Sequence, residues 1–159
     1  MASNKKHHSF RQRSGGAHSK ARLLPMSRSE ASNLALRTRI VLERVRNGEA
    51  DRSLVNHLTQ IVLITAFITR AGFGRLDVDF IDRVEKSLGQ VLLEADRTEQ
   101  WNIPTALISE LTAVVNEYDD QLAVTRVEIV ARASAHLDRL MVLAARQSAS
   151  LAHDARHAA

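Results

Sequence analysis

Cysteine is missing from all 159 residues. That removes a disulfide framework, a thiol nucleophile and a zinc–thiolate site together. Long hydrophobic runs are missing too. The longest, IVLITAFI at 61–68, is far short of the roughly 20 residues that span a bilayer. The opening residues lack the basic, apolar and small-residue succession of a secretory signal. Together these absences suit a cytoplasmic bacterial protein with no membrane partner. No strand pair, hairpin signal or internal repeat is evident. Nucleophile-elbow, P-loop and dinucleotide-binding glycine patterns are also lacking.

One further absence is local. No Asp or Glu occurs before Glu30, whereas Lys5, Lys6, Arg11, Arg13, Lys20, Arg22 and Arg28 all fall in that stretch. Residues 1–29 therefore carry seven positive charges and no negative ones. The remainder carries 15 basic and 18 acidic residues. The high pI belongs to the leader, and the body behind it is mildly acidic. Residues 1–26 have no hydrophobic periodicity and too little apolar surface to fold alone, so they are expected to form a flexible basic arm. Leu23 and Leu24 are the residues able to dock locally on the body.

From Ser27 onward the pattern is helical, and 27–148 is expected to be one all-α bundle of about five helices. A domain of this size buries roughly 70% of the surface its unfolded chain exposes. Helix 1 is expected at about 28–47, opened by a Ser27/Glu30 capping box and stopped by Gly48. Its apolar face is read as Leu34, Val41 and Val45, with Leu36 and Ile40 beside it. Helix 2, about 52–71, starts at a candidate N-cap, Asp51, and ends at Gly72 and Gly74. Its second half is apolar nearly all round, which suits the centre of a bundle. Helix 3, about 78–97 after Asp77, carries the stripe Ile81, Val84, Leu88, Val91 and Ala95. Gly89 interrupts it at a cost of roughly 1 kcal/mol against Ala, as if for a close helix approach.

The connection TEQWNIPT follows, with Trp101 expected to seal one end of the core and Pro104 to suit the first turn of the next helix. Helix 4 spans about 105–121, with Leu107, Leu111, Val114, Val115 and Tyr118 inward. A second capping-box pair, Thr125 and Glu128, separates it from helix 5 at about 126–147. There Val127, Val130, Leu137, Met141 and Ala144 share a face. Residues 149–159 form an Ala-rich tail that frays or extends the last helix.

The motifs that could carry chemistry are few. The leader's cations have the composition that releases counterions from nucleic acid. Phe10 is its only aromatic residue, so a stacking platform for single strands is poorly supported. FITRAGFGRLDVDFIDRVEKSL has the glycine and apolar spacing of a helix-turn-helix. Its second helix, however, sets Asp77, Asp79, Asp82 and Glu85 against Arg75, Arg83 and Lys86, and acidic groups repel phosphates. NEYDDQ at 116–121 places Glu117, Asp119 and Asp120 together. It lacks a matching carboxylate pair or Glu-x-x-His elsewhere and reads as a solvated helix end. His153 and His157 stand i, i+4 apart but without a third ligand, and His57 and His136 suit the edge of the core. No metal or cofactor is expected.

The stretches NLALRTRI, AGFG, the W-x-I-P connection and DDQLA resemble a scattered group of small helical bacterial proteins carried near mobile elements. Some of that group are labelled Fis-type transcriptional regulators. The resemblance covers about 34–140 and implies a helical regulatory protein. The end LAHDARHAA departs from the basic helix-turn-helix of true Fis proteins, so no DNA-reading residue is carried over.

The resulting expectation is a non-enzymatic binding or regulatory protein. Its leader would contact nucleic acid or another polyanion through residues 1–28. Its bundle would supply a homodimer or partner surface. The alternative is a protein-interaction module, an adaptor or an inhibitor of a host factor, acting through a bundle face.

Overall fold

The computed structural model describes residues 22–157, with side chains described through 146. Five helices pack together: α1 (Arg28–Arg46), α2 (Arg52–Arg70), α3 (Val78–Thr98), α4 (Thr105–Val124) and α5 (Val127–His157). No helix among the described residues is long and apolar enough to cross a membrane.

Helix α2 lies at the centre and packs against each of the other four. The reason is its composition. Val55, Leu58, Val62 and Ala66 are buried on it together with Ile61, Thr65 and Ile68, so apolar residues cover most of its circumference. Around it, Leu42 and Val45 of α1, Ile81, Val84 and Leu88 of α3, and Leu107, Leu111, Val114 and Val115 of α4 complete the main core. Trp101 and Ile103 pack half-buried against that core from the α3–α4 connection. A second, smaller cluster joins Ala31, Ile61, Tyr118 and Leu122, with Met26 and Val130 against it.

The ends of the helices follow local chemistry. Ser27 and Glu30 form the reciprocal capping box at α1, with Glu30 N–H donating to Ser27 Oγ at 3.3 Å and Ser27 N–H to the Glu30 carboxylate at 3.1 Å. The hydrogen bond from Ser27 Oγ to the carboxylate, and then that from Ser27 N–H, hold the Glu30 carboxyl below its ordinary pKa. Asp51 caps α2 by accepting Leu54 N–H at 2.8 Å, and Asp77 caps α3 by accepting Asp79 N–H. Gly48 and Gly72 take the left-handed conformation (φ 83° and 89°) that ends α1 and α2. Pro104 is the N-cap residue of α4 rather than a member of its first turn.

Two expected faces shift. On α1 the buried stripe is Ala31, Ala35, Thr38, Leu42 and Val45, while Leu36 and Ile40 are exposed. Thr38 can be buried because its hydroxyl donates to the Leu34 carbonyl one turn back. On α5 Leu137 is the last buried residue of the inward face, which continues to Met141, whose sulfur accepts from Gln60 Nε2 of α2 at 3.6 Å. Met141 is half-exposed beyond it, and the helix continues to His157, well past 147.

Gly89 makes no close approach, because a β-carbon built there meets no atom within 4 Å. The glycine therefore carries its helix cost without a packing return. Gly89→Ala is expected to raise stability by up to about 1 kcal/mol, read as a higher urea midpoint at unchanged m-value.

Candidate nucleic-acid interface

Helix α5 begins with amides that have no partner within their own helix. The expected Thr125/Glu128 box does not supply them. Thr125 is the buried C-cap residue of α4, and its hydroxyl has no partner among the described residues. The Glu128 carboxylate turns along the helix to Arg132. The leader does the capping instead: Val127 N–H donates to the Leu24 carbonyl at 2.9 Å and Glu128 N–H to the Arg22 carbonyl at 3.0 Å. Pro25 and Arg126 form an isolated antiparallel bridge between the two segments. Residues 22–26 are thus held to the body at the end of the leader. Leu23 and Leu24 stay exposed, so backbone bonding rather than apolar burial does the docking.

This geometry brings the leader's base, the start of α1 and the start of α5 together. Between them lies an open cleft of about 870 Å³, lined by Leu24, Met26, Leu34 and Val127 together with Arg22 and Arg37. The positive ends of two helix dipoles meet here, which favours anions near the cleft. Glu30 also borders it, but its carboxylate is committed to Ser27 through the cap, including a 2.6 Å bond from Ser27 Oγ.

Eight arginines elsewhere on the body pair with carboxylates, among them Arg39 with Asp119, Arg52 with Asp96, Arg70 with Asp82 and Arg97 with Glu94, while Arg83 lies over the Phe80 ring and Arg126, Arg139 and Arg146 have no carboxylate partner among the described residues. Arg22, Arg28 and Arg37 are exposed, and none has a carboxylate within ion-pairing distance among the described residues. Arg28 stands on the first turn of α1, where the helix dipole disfavours a cation.

Of the seven sequence-selected cations, Arg22 lines the cleft and Arg28 stands exposed on the first turn of α1 without lining it. Lys5, Lys6, Arg11, Arg13 and Lys20 lie outside the described residues, as do the side chains of His153 and His157. Arg37 was not selected from the sequence. Its only signal is position: one and two turns from Asn33 and Glu30, it shares their face of α1.

The acidic stretch at 116–121 lies inside α4 and is not a solvated end. Glu117 is buried and accepts Arg75 N–H at 2.7 Å, while Gln121 donates to Thr69 Oγ1 at 2.8 Å. One turn apart, the two side chains fasten the α2–α3 turn to α4. Gly74 lets this turn close tightly, since a β-carbon there would lie 2.4 Å from Thr69 Oγ1. Asp119 pairs with Arg39 at 2.8 Å and Asp120 with Arg75 at 3.7 Å. No three metal-ligating side chains gather among the described residues.

His136 stacks beside Phe67 with ring centroids 5.4 Å apart. His57 is half-buried, its Nε2 lacks a partner among the described residues, and burial pushes its pKa below the ordinary value. Neither histidine borders the cleft between the α2–α3 turn and α4 where Glu117 sits. Comparison with known proteins adds no further residue: no family model, curated protein or solved structure matches the chain.

Proposed function

We propose that this is a non-enzymatic binding protein that contacts nucleic acid through the cations of its leader. The contact is electrostatic and reads little sequence. A regulatory role, as the Fis-labelled resemblance implies, belongs to the same proposal. The observation that carries it is charge segregation. Seven cations precede the first carboxylate of the chain, and the two described ones, Arg22 and Arg28, stay unpaired beside a bundle whose other arginines are mostly matched. Lys and Arg placed in this way displace condensed counterions from phosphates.

The test is a gel shift at two salt concentrations. It compares the full chain, a chain lacking residues 1–21, and a chain in which all seven cations are glutamine. Cutting at 21 leaves in place the carbonyls of Arg22 and Leu24 that cap α5. Binding that is unchanged in the seven-glutamine chain overturns the proposal.

A second reading, a protein-interaction surface, is supported by one feature of α5. Leu140, Met141, Val142 and Leu143 are consecutive and between 37% and 54% exposed. Runs of exposed apolar residues of this kind mark contact surfaces. The occupant is a second copy or a protein target. Under this reading, Val142→Glu with Leu143→Glu is expected to release a partner that survives nuclease and high salt, without lowering the bundle's melting temperature. Light scattering separates self-association from capture of another protein.

A further inference from the structure

We infer that the cleft between the leader's base and α1 holds a nucleic-acid phosphate, with Arg37 as its body-contributed contact beside Arg22. The inference rests on the nucleic-acid reading above and adds a fixed point to it. Five of the seven leader cations lie outside the described residues, and their placement gives no fixed point on the body. The cleft differs because Arg22 is tied to α5 through its carbonyl. Arg37 projects from the third turn of a capped helix. Both line one concavity, and neither has a carboxylate partner among the described residues.

Charge complementarity selects the occupant. The one acidic group bordering the cleft, Glu30, already accepts from Ser27 N–H and Oγ and stays ionised in the cap. The arginine pair and two converging helix N-termini leave the rim positive. The apolar lining of Leu24, Met26, Leu34 and Val127 suits the sugar face that flanks a phosphate. A nucleic-acid strand running along the leader would meet the body here, because this is where the leader joins it.

The experiment is fluorescence anisotropy with a labelled 20-base-pair duplex, titrated with the full chain between 50 and 200 mM salt. Arg37→Gln is compared with Lys86→Gln, an exposed cation on α3 that does not border the cleft. Arg37→Gln is expected to weaken binding several-fold and reduce the salt slope by about one, and Arg37→Glu to weaken it further. Lys86→Gln is expected to bind as wild type. Equal effects of Arg37→Gln and Lys86→Gln, in a chain whose binding still depends on the leader cations, overturn the cleft and leave the broader reading standing. No binding by the wild-type chain overturns both. Unchanged melting temperatures identify the affected step as binding, since both residues are exposed.

Discussion

With all seven leader cations changed to glutamine, the affinity for duplex DNA is expected to keep only the weak salt dependence of Arg37, a slope of about −1. The wild-type chain, in contrast, is expected to lose about four orders of magnitude between 50 and 200 mM salt. The magnitude follows from counterion release. Each neutralised phosphate contributes about −0.9 to the slope of log affinity on log salt, so the seven leader cations together with Arg37 give a slope of about −7. Deleting residues 1–21 removes five of the seven and is expected to leave a slope of about −3 from Arg22, Arg28 and Arg37. Measured slopes that match between wild-type and seven-glutamine chains would dispose of the leader's role, whatever the absolute affinity. The graded series matters more than a single deletion, because truncation through 26 also strips the caps from α5.

Leu58→Ala is expected to destabilise the bundle by about 3–5 kcal/mol, a large share of the about 5–15 kcal/mol that holds a typical domain together. Leu58 has no exposed surface and sits on the helix that touches all four others. The lost side chain leaves a void bordered by several elements, so relaxation of any one of them cannot fill it. Leu93→Ala is the matched control. Leu93 is 74% exposed on α3, and its truncation is expected to change stability by less than about 0.5 kcal/mol. Urea unfolding of the three proteins separates the cases, and similar midpoints for Leu58→Ala and wild type would contradict the placement of α2 at the centre.

The all-α bundle was legible because its signals are local. Ser27/Glu30, Asp51, Gly48 and Gly72 act within one or two turns of themselves, and the stripes on α3 and α4 have a clean period. What was not legible depends on distant partners. Thr125 and Glu128 have capping-box spacing, but the α5 amides are met by carbonyls about a hundred residues earlier in the chain, so spacing alone misplaces the cap. Glu117 and Gln121 read as surface residues because their partners sit in another helix and its turn, and only the fold reveals the pairing. Thr38 broke the apolar stripe of α1 on paper while satisfying its own hydroxyl within the helix.

The candidate site was half legible for the same reason. A run of like charges is visible in any linear reading, so Arg22 and Arg28 were selected as candidates. Arg37 stands among ordinary alternating residues of a surface helix. Its relation to Arg22 exists only once the start of α5 has pulled the leader's base alongside α1. Conversely, the exposure of Leu140 to Leu143 could not be foreseen, because the face that begins at Val127 continues unbroken in sequence while its burial fades beyond Leu137.

The backbone clasp between 22–25 and 126–128 makes two neighbouring peptide bonds unequal under trypsin. Cleavage after Lys20 releases a cationic peptide and spares every clasp contact. Cleavage after Arg22 breaks the chain beside a carbonyl that is already bonded to Glu128 N–H. The last helix therefore acts as a stop for proteolysis from the front, and the fragment that accumulates should begin at Ala21.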